Sequence, residues 1–164
     1  MSEDLSLEQI RQCLDGDCQL VLFEKTDSTN EQALLKVKQK HTLPLACFAE
    51  EQTQGRGRRG KVWVSPPGAS IYLSLAWKFD LPVNDLGCLS LAIGVAVARV
   101  LKNIGMKQVG LKWPNDVLVD DKKIAGILIE TSQLTNKTTT VIIGIGLNFK
   151  LPDQLLDMLD QPCT

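Results

Sequence analysis

From Gln52 to Trp63 the chain reads Gln-Thr-Gln-Gly-Arg-Gly-Arg-Arg-Gly-Lys-Val-Trp, which sets four cations and three glycines beside an indole with almost no apolar filler. Such a segment suits an anion. Glycines let backbone N–H groups approach a phosphate, arginines add forked donors, and the aromatic ring offers a stacking face. The spacing Gly55-x-Gly57-x-x-Gly60 also matches the dinucleotide fingerprint, but its context excludes that fold. A fingerprint of that kind must open a helix, whereas Lys61-Val-Trp-Val64 is β-prone and is then broken by Pro66-Pro67-Gly68.

Four further strings carry candidate chemistry. Asp27-Ser28-Thr29-Asn30 reads on its own as a helix cap, yet a helix start with unsatisfied backbone donors, hydroxyls and an amide can equally hold a small polar head group. Lys112-Trp113-Pro114-Asn115-Asp116 ends a predicted strand, with the proline holding the residue before it extended, so that Asn115 and Asp116 project from a sheet edge or turn; Trp113 is expected to pack. Lys123 precedes the apolar run Ile124-Ala-Gly-Ile-Leu-Ile129, and Gly126 leaves room for close approach to the strand backbone. Gly144-Ile-Gly146-Leu-Asn148 interrupts another apolar strand with two glycines, which weakens pairing unless something needs the space.

In this order, from Phe23 to Asn148, the motifs resemble the catalytic domain of biotin protein ligases, of the biotin/lipoate protein ligase family. The resemblance implies a class II aminoacyl-tRNA synthetase/biotin synthetase-like fold and the activation of biotin by ATP to biotinyl-AMP. Biotin then passes to a lysine of the biotin carboxyl carrier protein of acetyl-CoA carboxylase. It places Ser28, Thr29, Asn30 and Gln52 on the ureido ring. Gly55, Arg56, Gly57 and Arg58 fall in a loop that closes over biotinyl-adenylate, and Gly126 lies beside biotin. Lys123 is placed on the biotin carboxylate and the α-phosphate, with Arg58 and Lys123 as the catalytic pair. Arg58, Trp63, Asn115, Asp116, Lys123 and Asn148 form the ATP set, with Trp63 on adenine and Asp116 on Mg²⁺. One departure is Val62, at a position often basic in the family.

The chemistry implied is electrostatic. A carboxylate must meet an anionic α-phosphate, and Arg56, Arg58, Lys123 and Mg²⁺ would offset the repulsion. The mixed anhydride must then be kept from water, so the loop is expected to order over it as a lid. Rival readings are a lipoate ligase or octanoyl transferase of the same fold, a non-catalytic biotin-binding fragment, and a single-strand nucleic-acid binder using the basic loop and Trp63. The resemblance also implies that the segment before Phe23 is too short for a helix-turn-helix domain. The SH3-like domain that normally follows would be absent, leaving residues 1–164 as one catalytic domain.

These motifs need elements to position them. Ser6-x-x-Gln9 predicts a capped helix ended by Gly16, and Gln19–Glu24 a strand. Ser28 and Glu31 stand in capping-box register ahead of a helix carrying Ala33, Leu34, Leu35 and Val37, and Leu45–Glu50 reads as a buried strand. Ile71–Trp77 is a strand, and Asn84 or Asp85 is expected to cap a helix from Leu86 to Leu101, apolar on nearly every face and hence central and buried. Strands follow at 109–113, 117–119, 124–130 and 139–149, with turns at Asp120–Lys122 and Thr135–Lys137, and another helix begins at Pro152. The layout predicted is an α/β (α+β) fold with a mixed, largely antiparallel sheet and helices packed on it, the sheet forming one layer and the helices the other.

Composition narrows the class. A length of 164 residues, 44% hydrophobic, supports one core, and a net charge of −1 gives no general attraction to DNA. Five cysteines without metal-ligand spacing point to a reducing compartment, and the single histidine, His41, reads as surface. The N-terminus lacks a signal pattern, and the uncharged run from Leu86 to Ala98 is shorter than the ~20 residues that span a bilayer, so a soluble cytoplasmic protein is expected, with no membrane partner.

Overall fold

The computed structural model describes residues 6–14, 16–156 and 162–163. In chain order the elements are α1 (Leu7–Gln12), β1 (Gln19–Thr26), α2 (Thr29–Lys38), β2 (Leu45–Gln52), β3 (Ser70–Phe79), α3 (Leu89–Asn103), β4 (Val109–Lys112), β5 (Asp116–Val119), β6 (Lys122–Leu134), β7 (Thr139–Asn148) and α4 (Asp153–Leu156). Of the helix predicted from Pro152 to Asp160, residues 157–160 lie outside the described residues. Among the described residues the strands form one seven-stranded sheet ordered β1-β2-β3-β7-β6-β5-β4. Only β1 and β2 pair in parallel, through the crossover helix α2, and every other neighbour is antiparallel. The predicted mixed, largely antiparallel sheet is therefore present, and the structural relatives described below share its class II-like architecture.

The single helical layer is not. Residues opposite one another in a ladder share a face. Cys47, Ala76 and Ile142 pack with Ala33 and Val37 of α2. Ala125, Ile127 and Val117 pack with Ala98 and Leu101 of α3. The ladder register puts these two sets on opposite faces. Strands β6 and β7 are apolar at successive positions, so both their faces require cover and one helix takes each.

Helix α3 is also less buried than its composition suggests. Gly94, Ala98 and Leu101 face the sheet, while Val95 and Val100 are 39% and 58% exposed. Hydropathy alone does not reveal on which side the packing partner lies. The span Val83–Asn103 is long and apolar enough to cross a membrane by length and composition, further than the shorter uncharged run implied. It is divided between a 3₁₀ turn at Val83–Leu86 and α3, whose cap is Cys88 rather than Asn84 or Asp85.

The start of α2 is held differently from a capping box. Ser28 occupies the cap position but makes no side-chain cap bond, and Glu31, the other half of the box, is drawn to Arg56 at 2.7 Å while Ser28 N donates to Asp27. The free donor at Thr29 N is satisfied by the Gln52 side chain at 2.8 Å, and the Asp27 carboxylate accepts from Ser28 N at 2.6 Å, from Thr26 Oγ1 and from Gln32 Nε2. The bond from Gln32, with those from Ser28 and Thr26, holds the Asp27 carboxyl below the usual range against a smaller upward push from burial. A depressed folded-state value means that the stabilisation is present above the unfolded-state pKa and lost as pH falls through the folded one. Asp27→Asn should thus lower the thermal midpoint at neutral pH, with the gap from the parent closing below about pH 4; a gap independent of pH would contradict this account.

Candidate functional site

The polar face of the sheet, on the α2 side, carries a cavity of about 440 Å³ whose lining draws on nearly every predicted motif. Its floor is made by absent side chains. A Cβ at Gly144 would collide with the Asn30 amide, and one at Gly146 with the Trp63 indole. One at Gly126 would come within 2.8 Å of the same indole. Gly126 and Gly146 are direct partners across β6 and β7, so the ring of Trp63 lies over a patch two strands wide that is bare of side chains. The space expected for a ligand is used first by two of the chain's own side chains.

Around Asn30 the donors and acceptors form a closed network. Ser74 donates to Asn30 Oδ1, Thr29 Oγ1 lies 2.7 Å from Ser74 Oγ and 3.1 Å from Gln52 Oε1 with one hydrogen to serve either, and Asn30 Nδ2 donates to Glu130 at 2.6 Å. Ser28, Thr29 and Asn30 are buried. Gln52 bridges to the returning chain through Ser65 Oγ at 2.9 Å, and that hydroxyl donates to Trp63 O. Neither Ser65, Ser74 nor Glu130 stands out by local pattern.

Lys123 and Asp116 form a second cluster. Lys123 Nζ lies 2.8 Å from Asp116 Oδ1, with both side chains at most 15% exposed, and 5.1 Å from the Trp63 ring centroid. A bulge brings them there. Leu118 pairs with Lys123 and Val117 with Ala125, so Ile124 is an extra residue in β6. In a regular strand residues 123 and 126 would point to opposite faces; the bulge lets Lys123 and Gly126 both face the cavity while Ile124 joins the core beneath α3.

Asn115 is fixed to β6 by its Nδ2 donating to Ile127 O at 2.9 Å, leaving its Oδ1 to accept from Arg58 at 3.2 Å. Asn148 is held by Ser70 Oγ at 3.1 Å. The returning chain places Pro162 O on the Lys123 N–H at 2.9 Å and Cys163 in the lining, where burial pushes its thiol pKa up against the opposing charge of Lys123.

The basic loop, expected to order over a ligand, has an internal scaffold. Gly57 N donates to Lys61 O at 2.7 Å and Trp63 N to Gly55 O at 2.9 Å, with Arg59 in the left-handed region at φ 56°. Gly55 stands apart from the other predicted residues, outside the lining. A Cβ there would strike Trp63 O, so this glycine closes the loop neck instead. Arg56 lies between Glu31 and Glu130, and Trp113, expected to pack, is 78% exposed at the rim, where no element among the described residues covers it. His41 is on the surface.

Trp63 Nε1 is buried with no hydrogen-bond partner among the described residues. An orphaned donor beside a cavity fits a ligand that brings an acceptor. The register orders the site: Asn30 over Gly144, Trp63 over Gly146 and Gly126, then Asp116 across from Gly126, with Lys123 beside it. An end lined by amides and hydroxyls and an ion-rich end are thus joined by an aromatic wall.

Residues 22–148 match the family model described as the biotin/lipoate A/B protein ligase family. The bifunctional ligase/repressor BirA of Escherichia coli (strain K12) is 42% identical over 148 residues, which is 90% of this chain and 45% of that protein. Among solved structures, biotin protein ligase from Leishmania major in complex with biotinyl-5-AMP superposes with a TM-score of 0.72 at 28% identity, covering 92% of this chain and 63% of that one. The Aquifex aeolicus biotin protein ligase in complex with biotin and ATP gives 0.67 at 29% identity, over 89% of this chain and 63% of that one. The chain spans about half the length of the curated relatives it matches.

The bare patch should be intolerant of a single methyl. In a background where Trp77 and Trp113 are phenylalanine, Gly146→Ala is expected to cost about 1–3 kcal/mol of stability by overpacking and to shift Trp63 emission to the red. Unchanged emission would mean that the ring does not rest on this glycine.

Proposed function

The chain belongs to the biotin/lipoate A/B protein ligase family, and from that premise we propose that it is a biotin–protein ligase catalytic domain. It activates biotin with ATP and passes the biotinyl group to a lysine of a biotin carboxyl carrier protein. The observation that carries this reading is the order of groups along the cavity: a buried neutral set suited to a ureido ring, then a wall lining the acyl path, then Lys123, Arg58 and Asp116 where carboxylate and phosphate would meet.

Each residue has a share in the chemistry. Thr29, Asn30 and Gln52 bind the ring, with Ser28 holding the helix start. Gly126 and Gly146 seat the Trp63 ring against the sheet, and the acyl chain runs along that ring. Lys123 orients the biotin carboxylate toward the α-phosphate and, with Arg58, counters the negative charge that accumulates as the carboxylate oxygen attacks phosphorus and pyrophosphate leaves. Asn115 positions Arg58, Asn148 contacts the nucleotide, and the open side of Trp63 stacks with adenine. Gly55 and Gly57 give the loop its closing geometry. The carrier lysine then attacks the acyl carbon of the anhydride and AMP departs, and the loop keeps water out until then.

Among the described residues no three His, Cys, Asp or Glu cluster; Mg²⁺ would come with ATP, and Asp116 is the carboxylate that would hold that ion. It supplies neutralisation of the phosphates. The reaction is placed in the cytoplasm, where carrier and ATP meet.

Titration calorimetry with biotin and with lipoic acid tests the ligand, and biotin-dependent exchange of pyrophosphate into ATP tests the chemistry. Saturable heat with biotin alone is expected, with exchange falling on the order of 100-fold in Lys123→Ala. Preference for lipoic acid would assign the chain to the lipoate branch, and undiminished exchange in Lys123→Ala would remove that lysine from the mechanism.

A further inference from the structure

Glu130 joins two parts of the site that the sequence keeps far apart. Its carboxylate accepts from Asn30 Nδ2 at 2.6 Å and from Arg56 at 2.8 and 3.1 Å. Arg56 in turn reaches Glu31, the residue after Asn30, at 2.7 Å. Asn30, Glu130, Arg56 and Glu31 thus close a ring in which the helix start supplies two members, β6 one and the basic loop one. The Asn30 amide cannot turn freely within it, because Oδ1 accepts from Ser74 while Nδ2 donates to Glu130.

The ring changes the part that Arg56 plays. A guanidinium facing two carboxylates carries little net charge toward a phosphate, whereas Arg58, two residues on, contacts only the neutral Asn115 Oδ1 in the hydrogen bonds and ion pairs described above. Of these two arginines, Arg56 is a fastener and Arg58 a reagent. Glu130 and Arg56 are each about one-third exposed, so the fastener is open to solvent and can release.

We infer that Glu130 is a positioning residue that couples the head-group pocket to the basic loop: a ligand that immobilises Asn30 also immobilises Glu130, and through Arg56 it holds the loop shut. This coupling rests on the reading of the Asn30 end as the head-group pocket. The fastening of the loop does not, which makes the two separable.

Trypsin cleavage within the loop at Arg56, Arg58, Arg59 and Lys61, followed by mass spectrometry with and without biotin, tests it. Two variants are compared with the parent, each checked by its thermal melt. Glu130→Gln keeps an acceptor for Asn30 but removes the charge that holds Arg56. Glu31→Gln weakens the loop and leaves the Asn30–Glu130 contact in place. Without ligand both should be cut about threefold to tenfold faster than the parent, because cleavage follows the open population. Biotin should slow cleavage in the parent and in Glu31→Gln, but not in a Glu130→Gln protein shown by calorimetry to be saturated. Equal cleavage of Glu130→Gln and parent without ligand would overturn the fastener, and full protection of saturated Glu130→Gln by biotin would overturn the coupling. If the parent bound no biotin, the proposed function and the coupling would fall together, while the ligand-free rates would still decide the fastener.

Discussion

Three positions on two neighbouring strands carry no side chain, and the cavity exists because of them. Gly126, Gly144 and Gly146 strip the centre of the sheet to bare backbone, where the Trp63 ring and the Asn30 amide settle. Glycine inside a strand weakens pairing, and here β6 and β7 remain aligned through long registers on both sides of the gap. The rest of the site follows from what is laid across that gap. Asn30 enters from the start of α2, Trp63 from the segment after the basic loop, and Lys123 from the bulge that begins β6.

Charge is managed by pairing within the site. Lys123 is held by Asp116 and Arg56 by two glutamates, so two of the cations that line the cavity are already compensated. Leaving such groups unpaired and partly buried is costly. On the proposed function an incoming carboxylate or phosphate would exchange with a resident carboxylate, above all at the most enclosed pair, Lys123–Asp116. Arg58, engaged only through the neutral Asn115 among the contacts described here, is the cation readiest to change partners.

Much of this was legible in the sequence wherever a short string carried its own geometry. The glycine–arginine loop, Asp27–Asn30, Lys112–Asp116 and the paired glycines of Gly144–Asn148 each lie where the pattern placed them, and with the exception of Gly55 the named site residues line one cavity. What stayed hidden depends on contacts distant in sequence. Glu130 read as the end of a strand that in fact continues to Leu134, so its charge looked like that of an ordinary strand terminus. The Ser28–Glu31 capping box gave way to Arg56, a partner no local window contains. The bulge at Ile124 and the division of α2 and α3 between two faces follow from strand register, which composition does not encode.

The account stands or falls on where a ligand lies along the bare strip. A crystal structure of this chain with biotinyl-adenylate is the most direct measurement. The ureido ring is expected within hydrogen-bond distance of Thr29, Asn30 and Gln52, the acyl chain along the Trp63 ring, and the phosphate at Lys123 and Arg58. Density in the reverse orientation, or outside this cavity, would contradict it.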